Sequence, residues 1–137
     1  MPVVSELIRS EVDGTISFGN YKLEAKSKIS DFEHCGDSYK VKTFKEITKL
    51  ERNGMFVYES VPGTAVNNMK LTEKGVEFTV YGTEDAQITL ELEDSAEYEI
   101  LVNGENAGKM KTNLGGKLNF SVDLSETNAI KVVVVKM

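Results

Sequence analysis

A chain of 137 residues, 40% hydrophobic and 28% charged, is long enough for one compact domain with a core and too short for two large ones. No apolar run approaches the roughly 20 residues that cross a bilayer as a helix, so no membrane span is expected. A formal charge of −6 and a pI near 4.9 argue against a nucleic-acid partner, whose phosphates demand a basic surface.

The opening MPVVSELIRSEVDG has no basic stretch ahead of a long apolar one, since Glu6, Arg9 and Glu11 interrupt it. No secretory signal is expected there. SELIRSEV has the length of a short helix, but the turn signals Asp13-Gly14 and Gly19-Asn20 flank TISF and favour strands. KISDFEHCGDSYKVKTF reads as two strands around Gly36-Asp37, with Tyr39 and Val41 on one face. The lone Cys35 has no internal disulfide partner, which fits a reducing compartment and, with the missing signal, the cytoplasm.

Residues 43–53 admit two readings. Thr43 with Glu46 three residues on fits a helix capping box, and Phe44, Ile47 and Leu50 fit a helical face. Against this, Asn53-Gly54 followed by MFVYESV reads as a hairpin, with Phe56 and Tyr58 facing one way. Strand pairing uses both halves of the segment, whereas a ten-residue helix is marginal, so strand is favoured.

Val61-Pro62-Gly63 has the composition of a type II turn and marks a change of sheet or a sub-domain edge near residues 62–63. NMKLTEKGVEFTVYG follows as two strands hinged near Gly75, with Val76, Phe78 and Val80 inward and Tyr81 out of phase with them. From Ala86 to Leu124 the alternation is clearest. Ile88, Leu90 and Leu92 oppose Thr89, Glu91 and Glu93; Tyr98, Ile100 and Val102 repeat the pattern, as do Leu118, Phe120, Val122 and Leu124. Asn103-Gly104 supplies a tight hairpin, and Gly115-Gly116 reads as a second hairpin turn.

The closing AIKVVVVKM differs from the rest. Ile130, Val132 and Val134 face one side, and Val133 and Val135 make the opposite side apolar as well. Such a strand is central, or its outer face meets a sub-domain or a second subunit. Residues 1–137 are thus expected to form one all-β domain of about ten short strands. The architecture expected is an antiparallel β-sandwich, immunoglobulin-like or jelly-roll-like, with little or no helix.

Chemistry-bearing patterns are sparse. The single histidine, His34, adjoins Cys35, and neighbours along a strand point to opposite faces, so a surface or loop histidine is expected rather than a dyad. Asp94, Glu97, Glu99 and Glu105, or Glu84-Asp85, could offer oxygen ligands, but none has the spacing of a calcium loop, and they read as solvated face residues. No catalytic residue, metal or cofactor is expected. Trp is absent and most Tyr and Phe lie in phase with apolar neighbours; Tyr21 and Tyr81 are the least fixed, and Tyr81 is the candidate sugar platform.

YKVKTFKEITKLERNGMFVYESVPGT, AQITLELED and YEILVNGENAGKMKTNLGGKLNFSV together resemble a group of small bacterial proteins often labelled "endosialidase". The resemblance covers nearly the whole chain and consists of strands and turns. It implies cleavage of polysialic acid, but carries no catalytic motif onto these residues. The C-terminal part also resembles the accessory β-sandwich of many glycoside hydrolases, which implies a supporting or sugar-binding role. The leading expectation is a non-enzymatic β-sandwich acting through protein contacts, with itself or another protein, as a homo-oligomer through Val133 and Val135. A carbohydrate-binding module is the alternative, and a glycan hydrolase ranks third.

Overall fold

The computed structural model describes residues 3–124 and 129–137, and these form thirteen strands and no helix. In chain order they are β1 (Ile8–Ser10), β2 (Ile16–Phe18), β3 (Ser27–His34), β4 (Asp37–Phe44), β5 (Ile47–Arg52), β6 (Met55–Val61) and β7 (Ala65–Thr72). There follow β8 (Gly75–Tyr81), β9 (Ala86–Glu91), β10 (Glu97–Val102), β11 (Glu105–Lys111), β12 (Lys117–Val122) and β13 (Ile130–Lys136). One sheet has seven strands in the order β1-β2-β7-β8-β13-β10-β11, and the other six in the order β12-β9-β6-β5-β4-β3. The sheets pack face to face as an all-β sandwich.

Alternation builds the core as the sequence indicates. Val76, Phe78 and Val80 from β8 and Val132 and Val134 from β13 meet Leu50, Tyr58, Ile88 and Leu90 from the opposite sheet. The fully buried Tyr58 joins the layers, edge-on to Phe18 at 5.3 Å and to Phe78 at 5.6 Å between ring centroids. Its hydroxyl is satisfied by Thr64 Oγ1 at 2.8 Å.

The 43–53 segment is a hairpin. β4 and β5 pair antiparallel from Tyr39↔Arg52 to Phe44↔Ile47, with Lys45 and Glu46 in the turn. Thr43 serves the core rather than a helix cap. Asn20 N–H donates to Thr43 Oγ1 (2.9 Å), Thr43 Oγ1 bonds Thr48 Oγ1 (2.8 Å), and Thr48 Oγ1 donates to the Thr64 carbonyl (2.8 Å).

Three local expectations are corrected. Phe56 and Tyr58 do not share a face: Leu50 pairs with Tyr58 but Glu51 pairs with Phe56, so a bulge at Val57 turns Phe56 to the outer face. There Lys117 Nζ stands 4.7 Å from its ring centroid. Val61-Pro62-Gly63 is not a type II turn, because the Val61–Pro62 bond is cis and Gly63 lies outside the positive-φ region. Glycine is required at 63 by proximity, since a Cβ there would lie 2.0 Å from the Phe44 carbonyl oxygen. Gly115-Gly116 does not close a hairpin; it carries the chain from β11 in one sheet to β12 in the other. The expected change of sheet near residue 62 does occur, between β6 and β7.

Candidate functional site

β13 lies between β8 and β10, and its register fixes what surrounds each outward side chain. Val132 and Val134 are fully buried inward, while Val133 and Val135 are half-buried on the outer face. Val133 is flanked by Glu77 and Leu101, and Val135 by Gly75 and Glu99. Leu101 is also half-buried, so three aliphatic side chains form a short outward strip. Around it the rows pair opposite charges: Lys70 with Glu77, Glu99 with Lys109, and Glu97 with Lys111.

The first strands do not fold over this strip. β1 and β2 extend the same sheet beside β7. Their connecting loop, Asp13 to Thr15, reaches Lys70, Glu77 and Lys131 and lines with them a groove of about 500 Å³. The loop is held by its own acids. Asp13 Oδ1 accepts from Thr15 N–H (3.0 Å) and Thr15 Oγ1 (2.6 Å), which holds its carboxyl below the usual range. Glu11 accepts from Ser17 Oγ and from Arg9, and these bonds lower its pKa likewise.

Tyr81 faces outward on this sheet, opposite Ala65, and is half-buried. Glu77, which pairs with Val133, stands four residues from it along β8, roughly 13 Å away at strand rise. Tyr81 therefore belongs to a separate part of the face. Val133 and Val135 are brought together; Tyr81 is not brought to them. Tyr21 is buried and offers no platform.

A cleft of about 700 Å³ escaped sequence reasoning. It opens at the end of the sandwich where the β5–β6 and β7–β8 hairpins diverge, over Val57, Leu71, Leu92 and Tyr98. Arg52, Asn53, Met55, Phe56 and three glutamates form its walls. Two of these acids are already paired: Glu91 with Lys117 at 3.0 Å and Glu93 with Lys136 at 2.7 Å, the latter raising the Lys136 pKa. Arg52 also approaches the buried Tyr39 hydroxyl, whose pKa is raised by burial and partly restored by the guanidinium. The bulge that moves Phe56 leaves no composition signal, which is why the cleft could not be found in advance.

His34 is buried, not on a surface or in a loop. Ser10 Oγ lies 2.7 Å from Nδ1 and the Gly14 carbonyl 3.1 Å from Nε2, so Nε2–H donates to the carbonyl while Nδ1 shares a hydrogen bond with the Ser10 hydroxyl. Cys35 Sγ comes within 3.5 Å of Nε2 because Cys35 leaves the strand at φ 50°. The ring thus pins the β1–β2 loop to β3, with both nitrogens engaged. Among the described residues no group of three or more His, Cys, Asp or Glu is placed to hold a metal ion.

Comparison with protein-family models, with curated proteins and with solved structures returns no match. The resemblance to proteins labelled "endosialidase" therefore rests on the quoted strands and turns alone.

Proposed function

We propose that this protein is a non-enzymatic β-sandwich that acts through protein contacts, pairing with a second copy across the outer face of the seven-stranded sheet. The observation that carries the reading is the outward aliphatic strip Val133, Val135 and Leu101, on the interior strands β13 and β10 and flanked by side chains of both signs. A face carrying both signs around an apolar centre can meet its own copy across a two-fold axis. Five strands of about seven residues present roughly 550 Å² of flat face at ~4.8 Å strand spacing. That is below the ~800 Å² per partner of a standard stable interface, so the association is expected in the micromolar range. The exposed, unpaired Cys35 favours a reducing, cytoplasmic setting.

Sedimentation velocity from about 1 to 300 µM tests this, that concentration range bracketing a micromolar Kd. The wild type should shift from monomer towards dimer, and Val133→Lys, whose ammonium group would face Glu77, should stay monomeric with a melting temperature close to that of the wild type. A wild type that remains monomeric throughout would dispose of the proposal.

A second reading, a glycan-binding module, is favoured by the end cleft, where the ring of Phe56 stands beside Arg52, Asn53 and Glu91. A thermal-shift screen against a glycan panel that includes sialic acid polymers decides it. Ligand at a hundredfold excess over Kd stabilises the native state by about 2.7 kcal/mol. A saturable shift lost in Phe56→Ser supports this reading, and no shift at millimolar ligand removes it.

A further inference from the structure

The outer face of the six-stranded sheet carries an arrangement that the self-association reading does not use. Lys28 on β3 lies directly opposite Lys42 on β4, which lies directly opposite Lys49 on β5. Lys40 stands two residues along β4 on the same face. These four lysines and Glu51 line a pit of about 100 Å³. Glu51 reaches Lys49 at 3.9 Å, and among the described residues Lys28, Lys40 and Lys42 form no ion pair. Glu59, opposite Lys49 on β6, closes the row on that side.

Like charges directly opposed across strands destabilise a sheet, whereas opposite charges stabilise it. Elsewhere the chain follows that rule, setting Lys70 against Glu77, Glu99 against Lys109, Glu97 against Lys111 and Glu91 against Lys117. In the lysine row it sets like against like twice. Protection of a sheet edge by lysine explains Lys28, since β3 is an edge strand, but not Lys42 and Lys49 on the interior strands β4 and β5. Nor does general basicity explain the row in a chain of net charge −6.

We propose that this pit is an anion site for a compact polyphosphate, a ligand with two or more phosphates close together. The pit holds one oxyanion among ammonium groups, which bind phosphate as point charges. The row spans two strand spacings, roughly 10 Å, so that a second phosphate meets the outer lysine. A monovalent carboxylate would leave most of the local charge uncompensated. Glu59 ends the basic run, which restricts the ligand to a compact one.

Calorimetric titration with tripolyphosphate at low salt tests the site, using the wild type, a Lys42→Gln/Lys49→Gln variant and a Lys74→Gln/Lys131→Gln control, placed in the β7–β8 turn and on β13. Saturable binding is expected, weakened at least tenfold by the first double substitution, unchanged by the control and weakened by added salt. Without ligand the first variant should melt close to the wild type, because Lys42→Gln relieves repulsion from Lys28 and Lys49 while Lys49→Gln gives up its pairing with Glu51 and Glu59, and it should lose the ligand-induced rise in melting temperature. Absence of saturable binding to the wild type, or equal loss in both variants, would overturn the proposal.

Discussion

Thr48 shows how much a single buried hydroxyl can organise. It donates to the Thr64 carbonyl, accepts from Thr64 N–H at 3.0 Å and contacts Thr43 Oγ1, so it ties the β4–β5 hairpin to the crossing between sheets. Thr48→Val keeps the shape and strands these partners away from water; a loss of about 1–3 kcal/mol is expected in urea denaturation. Glu11 makes a different prediction, about pH. Its bonds to Ser17 and Arg9 lower its pKa in the folded state, so their stabilisation is present above the ordinary glutamate value and is lost as pH falls through the lowered one. The gap in melting temperature between wild type and Glu11→Gln should be widest above about pH 4.5 and close on further acidification. Such pairings were not legible in the sequence. Alternation gives the face of Thr43 or Thr48, but beyond their bond to each other their partners Asn20 and Thr64 lie 23 and 16 positions away, and only the fold brings them together.

At the scale of elements, the strands were legible and several connections were not. β8, β9, β10, β12 and β13 carry a period of two and fall where that period puts them. β11 was not marked by alternation, because it is an edge strand with almost every side chain exposed. The bulge in β6 was equally hidden, since one extra residue reverses a face without changing composition. Turn glycines look alike in the sequence yet differ in the reason for their presence. At Gly54, φ is +79° and nothing lies within 4 Å of an added Cβ, so Gly54→Ala should cost only about 1–2 kcal/mol of left-handed strain. At Gly63 the Cβ would strike the Phe44 carbonyl backbone, and Gly63→Ala should cost distinctly more. Parallel thermal melts of the two variants check the order; Gly54→Ala melting at or below Gly63→Ala would contradict it.

For the whole molecule, the sandwich class was legible because both sheets are amphipathic, while the association of strands into sheets was not. Sheet order depends on long-range pairing that local composition does not encode. The candidate faces follow that order: the strip of Val133 and Val135 was visible as a doubly apolar strand, whereas its neighbours Leu101 and Glu77 are known only from register. The position of β13 between β8 and β10 also makes it the link between two parts of the seven-stranded sheet. Without residues 130–136, β1-β2-β7-β8 and β10-β11 are two separate parts of the seven-stranded sheet with no strand to hydrogen-bond across the gap. Removal of residues 130–137 should therefore abolish the cooperative calorimetric transition, and a retained sharp transition would show the fragments to be self-sufficient. The intact chain should refold slowly, because pairings such as β8 with β13 join residues about 50 positions or more apart in the sequence.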